Sequence, residues 1–118
     1  MSSKFYHIDP VAKPRMTRRD RWCKRPCVLK YREFKDQVSK HGIELGGMVR
    51  VVFHVQMPKG WSNKKKRLMN DQPHRNRPDI DNFLKALFDA TCKEDSHIWA
   101  VAAEKRWSYS GAIELRMK

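Results

Sequence analysis

The chain has 118 residues, with 26 Lys and Arg against 13 Asp and Glu and a formal net charge of +13. That length sustains one modest core and not two, and 40% hydrophobic residues with 5 Gly and 6 Pro exclude a disordered tail. No apolar run approaches the ~20 residues of a membrane span, and the start, Met1-Ser2-Ser3-Lys4-Phe5-Tyr6, lacks the apolar stretch of a secretory signal, so a cytoplasmic protein with no membrane partner is expected.

In chain order, Phe5 to Ile8 reads as a short first strand. Residues 9–27 carry three prolines, Trp22 and a dense basic cluster (Arg15, Arg18, Arg19, Arg21, Lys24, Arg25) without periodicity, which predicts a long loop or arm. Val28, Tyr31, Phe34 and Val38 recur at three- and four-residue steps, which predicts an amphipathic helix over 28–41 that ends near Gly42. After Gly46-Gly47, the alternation of Val49, Val51, Phe53, Val55 and Met57 with their neighbours predicts a strand closed by Pro58. A second basic stretch, 59–77, holds Lys64-Lys65-Lys66-Arg67 together with Arg75 and Arg77, and Pro78 ends it. Ile80, Phe83, Leu84, Leu87 and Phe88 share one helical face, so a helix is expected over 80–91. A polar turn, Lys93-Glu94-Asp95-Ser96, leads to a strand from Ile98 to Trp107, and Ile113, Leu115 and Met117 alternate in a last strand. The order β-α-β-α-β-β, with a hairpin at the end, predicts a single domain over 1–118 of α+β (mixed α/β) class with two main helices on a mixed sheet. The connection between the two central strands is long enough for a helical crossover, which allows a parallel pair.

Charge is unevenly spread. Residues 1–78 carry 20 basic against 6 acidic side chains, whereas residues 79–118 carry 6 against 7. The basic part points to a polyanionic partner, with nucleic acid ahead of an acidic membrane surface. The segregated acids are not what a simple DNA-coating protein needs. Cys23, Cys27 and Cys92 are an odd number in a chain without paired zinc-ligand spacing, so ordinary thiols in a reducing compartment are expected.

The acids concentrate in Arg77-Pro78-Asp79-Ile80-Asp81-Asn82-Phe83-Leu84-Lys85-Ala86-Leu87-Phe88-Asp89. Helical geometry sets Asp81, Lys85 and Asp89 along one edge of the apolar stripe, with Asp79 just before the first turn. Two carboxylates one residue apart supply hard oxygen donors for a divalent cation, and Lys85 would reach a phosphate bound to it. The same residues also suit plain helix stabilisation. Asp79 is a good N-cap, Asp81 complements the helix dipole, and Asp81 with Lys85 forms an (i, i+4) pair. Spacing alone does not decide between these readings.

The combined pattern, Asp79-Ile80-Asp81-Asn82 with Lys85, then Asp89-Ala90, then Glu94-Asp95-Ser96-His97-Ile98, resembles the hallmark stretch of RusA-type endodeoxyribonucleases. Lys13-Pro14-Arg15-Met16-Thr17-Arg18 resembles the proline-arginine start of many phage-borne members. The resemblance implies metal-binding carboxylates at Asp79, Asp81 and Asp95 and an essential lysine at Lys85. Many relatives carry two aspartates in the acidic turn, where this chain has Glu94 before Asp95. The implied activity is Holliday-junction resolution, with magnesium as cofactor (manganese able to substitute), in a bacterial or phage-infected cell.

In that reading a bound cation neutralises charge on the scissile phosphate and lowers the pKa of a water. Lys85 stabilises the transition state or protonates the leaving oxygen, and both roles stay open, as does one metal against two. Arg15, Arg18, Arg19, Lys64, Lys65, Lys66, Arg75 and Arg77 are the expected phosphate contacts. Trp22 and Trp61 are candidates either for stacking on opened bases or for core packing or a dimer contact, whereas Trp99 and Trp107 are expected to be structural. A homodimer supplies two sites for paired cuts in a nearly two-fold branched DNA. With a full helix over 80–91, folding the chain back to bring Asp95 to Asp79 and Asp81 is possible but tight, so the expectation is that either the helix ends early or a partner subunit supplies Asp95. Two alternatives remain: a non-catalytic basic nucleic-acid-binding protein, which would leave the acidic cluster unexplained, and a related nuclease preferring flaps or forks.

Overall fold

The computed structural model describes residues 2–14, 26–91 and 96–117. The elements run β1 (Ser2–Tyr6), α1 (Pro26–Lys40), β2 (Met48–Gln56), α2 (Asn63–Met69), α3 (Ile80–Thr91), β3 (Ala100–Ser108) and β4 (Ala112–Met117). The strands form one mixed sheet in the order β1-β4-β2-β3, with β2 and β3 parallel and the other pairs antiparallel. This is the expected α+β class, and the parallel pair is the one that the crossover length allowed.

The core follows from the apolar stripes. Tyr31, Phe34 and Val38 of α1 and Phe83, Ala86 and Leu87 of α3 meet Val49, Val51 and Phe53 of β2 and Ile113 and Leu115 of β4 in one cluster. Phe53 stacks on Phe83, ring centroids 5.2 Å apart, which seats α3 on the middle of the sheet. No helix among the described residues is long and apolar enough to cross a membrane.

Three expectations need correction. The last two strands do not form a hairpin, because β4 inserts between β1 and β2 while β3 pairs with β2 at the sheet edge. The reason lies in burial. Ala112, Ile113, Glu114 and Leu115 are all buried and need neighbours on both sides, whereas Val101, Ala102 and Glu104 of β3 are exposed and tolerate an edge. The first strand lies earlier than expected, at Ser2–Tyr6, with Phe5 paired to Glu114 and largely exposed. Ile8 is buried beyond its end. The basic stretch after Pro58 contains a helix, α2, which has no buried residue and so gave no apolar period. It is held locally instead: Ser62 Oγ accepts the Lys65 N–H at 3.1 Å as N-cap, and Trp61 beside it packs on Trp107.

Gly111 makes the turn into β4 possible. A Cβ there would overlap the Asp9 carboxylate and approach the Asp9 Cα to 3.0 Å. This close approach lets the segment after β1 pass over the β3–β4 connection.

Candidate active site

α3 runs its full expected length, from Ile80 to Thr91, so the early-ending helix is not what forms. The main-chain carbonyl of Asp79 accepts the N–H groups of Asn82 (3.1 Å) and Phe83 (3.3 Å), which makes Asp79 the residue at the helix entrance. A capping aspartate would in addition accept the N–H of Asp81 or Asn82 with its carboxylate. Among the described residues, no hydrogen bond or ion pair engages the Asp79 carboxylate, and it is exposed. Capping therefore does not account for this side chain.

One turn into the helix, Asp81 Oδ2 lies 3.6 Å from Lys85 Nζ, with both side chains more than 60% exposed (64% and 62%). Such a pair is screened by water and worth a few tenths of a kcal/mol, so Lys85 can exchange it for a phosphate oxygen. Asp89, two turns along the same edge, is committed elsewhere. Lys13 Nζ sits 2.6 Å from its Oδ2, and the Tyr31 hydroxyl donates to it at 2.8 Å. Burial acts to raise the Asp89 carboxyl, but the hydrogen bonds from Lys13 and Tyr31 outweigh it and hold the group below the usual carboxylate range. Burial and this neighbouring carboxylate together push the Tyr31 phenol up. The Lys13 N–H also donates to the Asn82 carbonyl at 3.2 Å, so the segment leading to the first basic cluster is tied to the first turn of α3.

The loop before Asp79 runs along the outer edge of β3. Asp71 and Trp107, Gln72 and Trp107, and His74 and Lys105 exchange main-chain hydrogen bonds of 2.8–3.0 Å. Arg75 and Arg77 are exposed on it, and the Arg77–Pro78 peptide is cis. Lys105 Nζ donates to the carbonyls of Asn76 (2.7 Å) and Pro78 (2.8 Å). Sequence reasoning missed Lys105, since a lysine within an alternating strand signals only a polar position. His74 is buried against Trp107, and burial, followed by the nearby Lys105 charge, lowers its pKa.

On α2, Lys64 and Lys65 are exposed and Lys66 is half-buried. Lys65 Nζ lies 4.2 Å from the Trp61 ring centroid, and Trp107 packs near the same ring at 4.8 Å. Trp61 thus packs within the chain, where it fastens the basic helix to β3. Trp107 is buried as expected. Trp99 is 75% exposed, which corrects its structural assignment. Arg15, Arg18, Arg19, Trp22, Cys23, Cys92, Glu94 and Asp95 lie outside the described residues. Cys27 is a free, exposed thiol.

Asp79 and Asp81 thus stand together at the entrance of α3 with Lys85, at the end of a basic loop. Their oxygens are the donors that a hard cation such as magnesium takes. Among the described residues no set of three His, Cys, Asp or Glu side chains converges. The expected third carboxylate, Asp95, is not among them.

None of the curated proteins matches the chain. The family model for endodeoxyribonuclease RusA matches residues 7–118 and leaves out only Met1–Tyr6. The acidic helix entrance, Lys85 and the basic loops all fall inside that match, and the chain belongs to the RusA family of endodeoxyribonucleases.

Proposed function

We propose that this endodeoxyribonuclease is magnesium-dependent and structure-selective, that manganese can replace magnesium, and that a homodimer resolves Holliday junctions by paired cuts. The observation that carries this reading is the Asp79 carboxylate, which stands at the start of a helix without capping it, beside Asp81 and a weakly paired Lys85. Structural needs leave these three groups free for phosphate chemistry.

Asp79 and Asp81, together with Asp95, would hold the cation. When bound, magnesium neutralises charge on the scissile phosphate and lowers the pKa of a water. Lys85 leaves its exposed pair with Asp81 to meet the extra negative charge of the transition state. Arg75, Arg77, Lys64, Lys65 and Lys66 neutralise phosphates of the duplex arms, joined by Arg15, Arg18 and Arg19, so affinity falls steeply with salt. Because α3 is a full helix, its two ends are about 18 Å apart at 1.5 Å per residue, and Asp79 and Asp81 stand at the first of them. Supply of Asp95 by the partner subunit answers that separation and makes each site depend on dimerisation.

Cleavage of a four-way junction, a fork and plain duplex, with and without magnesium, tests the proposal. The expected result is metal-dependent, symmetric nicking of the junction in preference to the other two. Metal-independent binding without any cut would instead leave a non-catalytic DNA-binding protein, and preference for the fork would reassign the substrate.

A further inference from the structure

Lys105 grips the loop that delivers Asp79 through three hydrogen bonds. Its carbonyl accepts the His74 N–H at 2.9 Å, and its ammonium donates to the carbonyls of Asn76 and Pro78 at 2.7 and 2.8 Å. The residue sits within β3 opposite Phe53, whose side chain is in the core, so the ammonium is mounted on a strand paired directly to the core strand β2. Pro78 is bonded directly to Asp79. The next carbonyl along, that of Asp79 itself, is held by the first turn of α3. The main chain on both sides of the Asp79 Cα is therefore fixed, on one side by the sheet through Lys105 and on the other by the helix.

Other bonds hold the earlier part of this loop. Asp71, Gln72 and His74 are tied to β3 by main-chain bonds, and Arg106 donates to the Asp71 carbonyl at 2.7 Å. Among the described residues, the Lys105 ammonium alone ties Asn76 and Pro78 to the sheet. No carboxylate pairs with this ammonium within the described residues, so two neutral carbonyls receive a charge-assisted donor. Removing it would release Asn76–Pro78 while the 71–74 clasp, α3 and the core remain.

We propose that Lys105 is a positioning residue for the cation site, setting the place of the Asp79 carboxylate relative to Asp81 from behind; this rests on the metal-dependent nuclease reading above. A group that orients a metal-binding carboxylate without touching the metal typically changes metal affinity or activity by roughly 10–100-fold when lost. DNA affinity without metal has no such dependence, because the ammonium faces main-chain carbonyls and not the solvent-facing basic surface.

The test is Lys105→Met, with Lys40→Met at the exposed end of α1 as control for the loss of one charge. Manganese binding without DNA is followed by water-proton relaxation, junction affinity is measured in EDTA, and thermal unfolding reports the fold. Lys105→Met is expected to weaken manganese binding roughly 10–100-fold, with junction affinity matching that of Lys40→Met. Should Lys105→Met fail to fold, Lys105→Gln, polar but too short to bridge both carbonyls, is read by the same titrations. Wild-type manganese affinity in a folded variant would overturn the proposal. So would a parallel loss of junction affinity, which would make Lys105 a phosphate contact. Absence of manganese binding and of cleavage in the wild-type protein would overturn the nuclease reading itself, an outcome distinct from either.

Discussion

The Lys13 ammonium lies 2.6 Å from the Asp89 carboxylate, two turns along α3 from Asp81. The Tyr31 hydroxyl closes on the same carboxylate, so three separate parts of the chain meet at one side chain. Asp89→Asn is expected to lower stability by about 1–2 kcal/mol, the scale of a hydrogen bond to a charged group discounted for partial exposure. The Asp89 carboxyl is held low in the folded protein, so its contribution is present above its ordinary value of 3.8 and is lost as pH falls through the folded value. Thermal unfolding of both proteins at pH 7 and pH 3 checks this. The difference between them should shrink at the lower pH.

Asp81→Asn is expected to abolish cleavage while leaving junction binding intact or tighter. The change removes an oxygen ligand for a hard cation, and it also removes negative charge that repels phosphate. Single-turnover cleavage and gel-shift titration of the same preparation separate the two effects. A near wild-type cutting rate would take Asp81 out of the site.

Lys85→Ala should cost turnover far more than affinity. One positive charge among 26 Lys and Arg adds little to overall binding, whereas one aimed at the scissile phosphate is worth ~2.7–4 kcal/mol in the transition state, the scale of a single oxyanion donor. Equal losses in binding and rate would make Lys85 an ordinary phosphate clamp.

Glu114 predicts a second acid-sensitive point, on the sheet face away from α1 and α3. Burial acts to raise its carboxyl, but His54 at 3.0 Å and Arg116 at 3.2 Å outweigh it and hold the group low. Its stabilisation is complete above the ordinary value of 4.5 and disappears as pH falls through the folded value. Glu114→Gln should therefore flatten the fall in Tm between about pH 5 and pH 3. An unchanged slope would show that other carboxylates dominate acid unfolding.

Mixing inactive Asp81→Asn and Asp95→Asn proteins tests subunit sharing on a single-site substrate. If the partner supplies Asp95, the heterodimer contains one intact composite site and nicking returns. Sites confined to one chain would each lack a carboxylate, and the mixture would stay inactive.

Local pattern decided much of this molecule. The apolar period of Ile80, Phe83, Leu84 and Leu87 located α3 to the residue, and Val28, Tyr31, Phe34 and Val38 located α1 within two, because a helix that buries one face must repeat its contacts every turn. The spacing of Asp79, Asp81 and Lys85 was legible for the same reason, since all three belong to one helix and its entrance. Where β4 sits was not legible. Its alternation named a strand, but the choice between pairing with β3 and inserting beside β2 turns on which strand needs cover on both faces, a property of the whole sheet. That Asp79 does not act as a cap is visible only in the tertiary structure, where its carboxylate accepts no helix N–H among the described residues. Lys105 was silent in sequence because its partners are main-chain carbonyls 27 and 29 residues away, and no side-chain pattern records which carbonyl a lysine will meet. Periodicity reports which face of an element is buried, whereas the contacts that place one element's ends against another arise only when the chain closes on itself.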